Sequence, residues 1–369
     1  VVAISFTLSL GEVTLTSQLS PPSTNQPIAV ALLNAMHYQR PQIVTSALFT
    51  LILLASIGSI LIVFTNKRFL SLCMFALIVS CNSSEQTPVT SAKVIGGIGL
   101  SDGRFKIPRA IATNDDCIVV IDKSGRLQKF NSNGEFISSW ELNLSGTGFP
   151  TGVSLDDEGN IWIADTHQHR VLVLDQEGNE LRTFGEYGTG DCQFLYPTDI
   201  AFGSDGVVFV SEYGGNDRIS VFTKDGEFQY SFGYFGSNED GFQRPQSMAL
   251  SPTTGNLFIA DAGNHRIVER TPKGEVIQII AGVGREQGEL LYPYGISFDS
   301  PTTFLVCEFG NNRLQRFSVD GRTLEIFGGA GDTIGTFKTP WAVEVRAKGI
   351  IVADTGNNRL QRLPDMMVY

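Results

Sequence analysis

The chain has 369 residues, a net charge of −11 and a pI near 4.9, with 39 glycines and 18% charged side chains. That length allows two or three ordinary domains, or one large domain behind a processed leader. The acidic balance argues against a protein whose main business is gripping phosphate backbones.

The charge is unevenly spread along the chain. Residues 1–81 hold three of the 27 basic side chains (Arg40, Lys67, Arg68) and one of the 38 acids (Glu12), a net of +2. The remainder holds 24 basic and 37 acidic side chains, a net of −13. The front is therefore read as an apolar leader (1–81) and the rest as an acidic body. Residues 46–64 (SALFTLILLASIGSILIVF) run for 19 positions without a charge, close to the ~20 a helix needs to cross a bilayer. Lys67 and Arg68 follow on what the positive-inside tendency makes the cytoplasmic side.

A second export signal overlaps the first, over 63–81. Lys67-Arg68 is its basic region, 69–79 its apolar core, and Ile78-Val79-Ser80-Cys81 its end. That tetrapeptide resembles the bacterial lipobox, which implies cleavage before Cys81 and a lipid on that residue. The polar stretch 82–91 then reads as a tether, and the missing initiator Met as a misplaced start. The other reading keeps 46–64 as a transmembrane anchor. Both expect a cell-envelope or membrane-anchored protein with its body outside the cytoplasm.

The body repeats. A proline recurs at Pro108, Pro150, Pro197, Pro245, Pro293 and Pro340, at spacings of 42, 47, 48, 48 and 47. Each is followed by a short apolar alternation and then by a run that ends in an acid 14–16 residues on: Asp122, Asp165, Glu212, Asp261, Glu308 and Asp354. An Arg with a hydrophobe after it comes next (Arg126, Arg170, Arg218, Arg266, Arg313, Arg359). Turns such as Asn133-Gly134, Asp225-Gly226 and Asp320-Gly321 lead to a last strand. Four short antiparallel strands, a to d, every 40–50 residues predict propeller blades. On strand a the second and fourth residues after Pro are mostly small, and the third and fifth mostly large. The two faces are thus expected to meet neighbouring blades as small against large.

Strand d ends in Phe-Gly-x-x-Gly at Phe184, Phe232 and Phe327. The segment Val94-Ile95-Gly96-Gly97-Ile98-Gly99 repeats that ending with no strands a to c before it, and the last repeat stops after strand c. An all-β, six-bladed propeller over 92–369, closed by an N-terminal strand, is therefore expected. Asp261-Ala-Gly-Asn264-His265-Arg266-Ile267 and Asp354-Thr-Gly-Asn357-Asn358-Arg359-Leu360, together with the Pro and Phe-Gly marks, resemble the NHL repeat. Glu308-Phe-Gly-Asn311-Asn312-Arg313 is close. Blade 2 (Asp165…Arg170) lacks the Asn, and blade 1 (Asp122-Lys-Ser-Gly-Arg126) is a residue short.

A group present in every blade reads as architecture. The pairs Asp165–Arg170, Asp261–Arg266, Glu308–Arg313 and Asp354–Arg359 are expected to anchor the b–c turns by charge-assisted hydrogen bonds. The residues after each Pro differ from blade to blade: Arg109, Thr151, Thr198, Gln246, Tyr294 and Trp341. They are the candidate ligand-binding rim, the alternative being a plug in the channel.

No catalytic residue or cofactor is assigned, because no Walker loop, CxxC pair or HExxH motif is present. The similar peptidylglycine-amidating lyases imply a zinc held by axial His residues, commonly just after the repeat Pro, and none of the six positions is His. Gluconolactonase-like propellers imply an axial divalent ion on acids and Asn, for which strand a offers only Asp199 and Glu344. The leading expectation is a non-catalytic scaffold for a protein, peptide or glycan, with the membrane as second partner through the N-terminus and no nucleic acid. The alternative is a metal-dependent lyase or lactonase, with axial Zn or Ca, working at the axial mouth.

Overall fold

The structure, a computed structural model, describes residues 92–142, 148–346 and 349–364. The predicted leader, the span 46–64, Cys81 and the tether lie outside the described residues. Those described all belong to one compact unit, 85–369. Among them no helix is long and apolar enough to cross a membrane.

Among the described residues six four-stranded antiparallel sheets follow one another. Blade 1 consists of Pro108–Thr113, Cys117–Asp122, Arg126–Asn131 and Phe136–Glu141, innermost strand a first. Blades 2 to 5 repeat this order over 152–184, 196–232, 245–280 and 293–328. Blade 6 takes Val343–Arg346, Gly349–Asp354 and Arg359–Leu363 from the C-terminal end. Its outer strand is Lys93–Gly96, with Ile95 opposite Leu360. The chain is thus a six-bladed propeller, all-β apart from single 3-10 turns.

The core lies between blades. Ala110 and Ala112 of blade 1 pack with Val153, Ile161 and Ile163 of blade 2. Ile111, on the opposite face of the same strand, packs with Ile351 and Leu360 of blade 6. Equivalent clusters fill the other four interfaces. Each buried Val, Ile or Phe contributes about 1.5–3 kcal/mol. The small residues of strand a answer to close approach at the axis. A Cβ on Gly152 would stand 2.2 Å from the Thr198 carbonyl oxygen, and one on Gly295 would stand 2.8 Å from the Val343 nitrogen.

Two features of strand a aim side chains at the axis. The residue before the repeat Pro is left-handed without being glycine: φ is 57° at Ile107, 57° at Arg244, 51° at Tyr292 and 43° at Thr339. Proline disfavours helical backbone before it and β-carbons disfavour positive φ, so these turns carry strain. A β-bulge follows at once. Pro108 faces Asp122 while Ala110 faces Ile121, which makes Arg109 the extra residue. Thr198, Gln246 and Tyr294 are the extra residues of blades 3, 4 and 5. Bulges re-aim side chains, and here they turn the post-Pro residue toward the axis.

Candidate functional site

The six acid–Arg pairs form at each b–c turn. Their N···O distances are 3.2 Å for Asp122–Arg126, 2.9 Å for Asp165–Arg170 and 2.7 Å for Glu212–Arg218. They are 2.8 Å for Asp261–Arg266, 2.6 Å for Glu308–Arg313 and 2.7 Å for Asp354–Arg359. Five of the six Arg forks are consumed locally, while Arg170 donates through Nε to Asp165 and is 30% exposed. Arg313 donates through Nε to Glu308, through Nη1 to the Arg285 carbonyl at 2.6 Å, and through Nη2 to Glu286 and Glu289 at 2.9 and 3.0 Å. The acid in turn accepts from the strand entering the blade: Leu291 N–H donates to Glu308 at 3.0 Å and Lys338 N–H to Asp354 at 2.8 Å. Burial pushes the Asp261 carboxyl up to about 6 and Glu212 to about 7, against their partners' pull. Charges spent in this way have nothing left for a ligand.

In five of the six blades the position just before the motif Arg contacts the neighbouring blade, a role the sequence reading did not assign. Nδ1 of His265 accepts from Tyr292 N–H at 3.0 Å, Oδ1 of Asn312 from Thr339 N–H at 2.7 Å, and Oδ1 of Asn358 from Ile107 N–H at 2.8 Å. Asp217 accepts from Arg244 N–H at 2.5 Å, and Nδ1 of His169 meets the Leu195 carbonyl. In four of these the amide caught is that of the strained residue before Pro. The Asn358–Ile107 contact joins blade 6 to blade 1. Gly125 holds this position in blade 1 and has no side chain to reach blade 2. Acceptor side chains at 217, 265, 312 and 358 were the signal available in the sequence.

All six post-Pro residues line one axial cavity of about 560 Å³, walled by the strands a. They are not equivalent within it. Thr151 and Thr198 are buried and spend their hydroxyls on structure: Thr151 Oγ1 is 2.8 Å from Thr166 Oγ1, and Thr198 Oγ1 donates to the Pro245 carbonyl of the next blade at 2.7 Å. Gln246 Oε1 accepts from Arg244 Nε at 2.9 Å. Tyr294 and Trp341 are 3% and 6% exposed, packed with Phe309 in an aromatic cluster whose ring centroids are 4.7–5.8 Å apart. They therefore wall the mouth rather than stand out from it. Arg244, unassigned from sequence, joins them: its Cζ lies 4.7 Å from the Tyr213 ring centroid and 5.3 Å from that of Tyr294.

Arg109 alone among the six is charged. Its Cζ stands 4.9 Å over the Trp341 ring, and its buried Nε has no hydrogen-bond partner. The guanidinium keeps an edge on the cavity but is otherwise enclosed by protein. Desolvation first, and then the nearby Arg244 charge, bring it down to about 10.

Among the described residues no three His, Cys, Asp or Glu converge as a metal group. His167 and His169 lie against Tyr196 rather than against a third donor. Asp199 lines the cavity, but its Oδ2 accepts from Met248 N–H at 2.7 Å, and desolvation lifts its carboxyl to about 7. Among the described residues no His-rich zinc set is built, and one of the two acids offered for a divalent ion already accepts a backbone hydrogen bond. Cys307 is buried, its thiol pushed well above its usual range by desolvation.

The family pattern for the NHL repeat matches residues 147–174 and 242–269, the second of which carries the Asp261–Arg266 pair and its His265 staple. The chain carries NHL repeats in a six-bladed β-propeller. Rat peptidylglycine alpha-amidating monooxygenase is 34% identical over 197 residues, 50% of this chain and 19% of that protein. A probable peptidyl-alpha-hydroxyglycine alpha-amidating lyase of Caenorhabditis elegans is 26% identical over 159 residues, 42% of each. This NHL-repeat chain thus spans about a fifth of the rat relative and less than half of the nematode one. Among solved structures, a Bacteroides thetaiotaomicron protein of unknown function superposes with a TM-score of 0.57 at 16% identity, over 74% of this chain and 75% of that one. At that identity the likeness shows the fold alone.

Proposed function

We propose that this NHL-repeat propeller is a non-catalytic, membrane-anchored binding scaffold, taking a protein, peptide or glycan segment at its axial mouth outside the cytoplasm. One observation carries the reading. The six residues that differ from blade to blade share a single cavity, whereas the side chains that recur are consumed as structural clamps. Evenly repeated clamps hold the ring, so the variable axis is free to read a ligand. The cavity's size falls within the range of about 300–1,000 Å³ common for ligand sites. The basic and apolar patterning of 63–81 supports export, with Cys81 as the anchor.

The test is a ligand-observed NMR screen of soluble peptides and oligosaccharides against the full chain and against Y294A/W341A. Ligands that bind the parent and lose at least about tenfold in affinity on the double variant support the reading. Binding unchanged by that variant overturns it. The N-terminus is settled by mass spectrometry of the mature protein: an unmodified Cys81 still preceded by Ser80 ends the lipoprotein assignment.

The similarity to amidating enzymes over half of this chain favours a second reading, a lyase acting at the same mouth. Stoichiometric Zn or Ca surviving dialysis of the purified protein would move the assignment there.

A further inference from the structure

We propose that the axial mouth recognises an oxyanion, a carboxylate or phosphate carried on a planar or apolar organic group, with Arg109 as the anion-binding residue and Trp341 and Tyr294 as the wall beside it. The inference rests on the axial mouth being a ligand site, and adds the chemistry that site selects.

Arg109 is the anomaly that points there. The six motif arginines each meet a carboxylate within 2.6–3.2 Å. Among the described residues Arg109 meets none, and its buried Nε has no hydrogen-bond partner. The charged group acting on it is a second cation, Arg244, with the phenols of Tyr213 and Tyr294 beside it. The Arg244 side chain is engaged elsewhere: its Nε donates to Gln246 and its guanidinium lies over the Tyr213 ring. The field of Arg109 also reaches Lys123 and His167, and in both it works against the protonated form. In a body of net charge −13, Arg109 thus has Arg244, Lys123 and His167 within electrostatic reach.

An enclosed cation without a counter-charge costs free energy in the free protein. An anion entering the mouth relieves that cost, and a carboxylate or phosphate matches the planar guanidinium fork with two parallel hydrogen bonds. The Trp341 ring already stacked under Arg109 holds the fork in place and leaves an aromatic face for the rest of the ligand. The cavity's carboxylates lie farther along strand a: Asp199 two residues past Pro197, Glu344 four past Pro340, and Asp299 held by Arg316 at 2.6 Å. The gradient therefore orients a ligand with its anionic end at Arg109.

The test uses isothermal titration of the full chain with hippurate and phenyl phosphate, and with hippuramide, the neutral counterpart of hippurate. At least one anion is expected to bind at least about tenfold more tightly than hippuramide, the measure of one charge-assisted contact. R109Q should erase that preference while leaving hippuramide affinity within about twofold, and R109K should recover part of it. Hippurate winning over phenyl phosphate identifies a carboxylate ligand, and the reverse a phosphate. If hippuramide binds as well as hippurate and phenyl phosphate do, the anion inference falls and the axial binding site stands. If none of the three binds, the inference falls for small oxyanions, and the peptide and glycan screen decides the site separately. Thermal unfolding of R109Q close to the parent's shows that any loss is local.

Discussion

The b–c turns and the axial mouth treat arginine in opposite ways. At the turns a guanidinium is paired and hydrogen-bonded: Arg313 is 1% exposed and donates to Glu308 and three backbone carbonyls. At the mouth Arg109 is half-buried, stacks on an aromatic face, and has a buried Nε with no hydrogen-bond partner. The first arrangement is how a fold uses charge, because each donor removed from water regains an acceptor. The second leaves a desolvation cost unanswered, which a folded chain keeps where something outside the chain answers it. Within one ring, repetition therefore marks structure and irregularity marks the site.

The hardest way to break this contrast is to remove a clamp. Arg313→Leu would strand Glu308 in the interior and orphan the Arg285, Glu286 and Glu289 carbonyls, at a cost of about 3–5 kcal/mol. A calorimetric midpoint several degrees lower is expected. A loss under about 1 kcal/mol would mean that the pairs are not what holds the turns. Asn358→Ala comes next. It frees the Ile107 amide, costing about 1–3 kcal/mol, and places Ala at φ 54°, costing roughly 1 more. This staple joins the last blade to the first, so denaturant unfolding should also become less cooperative there than after the equivalent change at Asn312.

The staple at His265 is pH-sensitive. Its Nδ1 must stay unprotonated to accept from Tyr292, and burial lowers the imidazole from 6.5 to about 4. The unfolded chain therefore binds more protons than the folded one between those values, so this residue's contribution is intact above about pH 6.5 and is lost as pH falls toward 4. His265→Asn supplies the acceptor that Asn312 and Asn358 use. Parent and variant should match near pH 7.5 and diverge in the variant's favour by about 2 kcal/mol at pH 5. Urea titrations at the two pH values measure the difference, and parallel curves would show that the staple does not titrate.

What could be read in advance follows the same division. The 42–48-residue period, the acid-to-Arg spacing and the small–large alternation on strand a are local patterns imposed by every blade. They carried the blade count and strand order directly. The staples were legible in part: Asp217, His265, Asn312 and Asn358 all offer a short-range acceptor just before the motif Arg, yet their partners lie one blade away, at a distance no local pattern encodes. The contact of Arg244 with Tyr294 was invisible because it depends on a left-handed turn before Pro245. Thr151 and Thr198 occupy the predicted rim positions, but the axis is so crowded that their hydroxyls bond to adjacent strands. Which rim residue stays unsatisfied is a property of the closed ring.

Arg109→Gln is the smallest expected change in stability and the sharpest test of the contrast. The substitution removes a cation whose buried Nε has no hydrogen-bond partner, which sits near Arg244 and is held down to about 10 chiefly by desolvation. Loss of the stacking contact with Trp341 costs about 0.5–2 kcal/mol. Relief from desolvation and from Arg244 repulsion offsets it, so the net should lie within about 1 kcal/mol of zero. The same deletion of a guanidinium thus costs several kcal/mol at position 313 and almost nothing at 109. Measured side by side in urea, equal losses at the two positions would show that Arg109 is another structural charge. A large loss at Arg313 with none at Arg109 leaves binding as the place where Arg109 repays its burial.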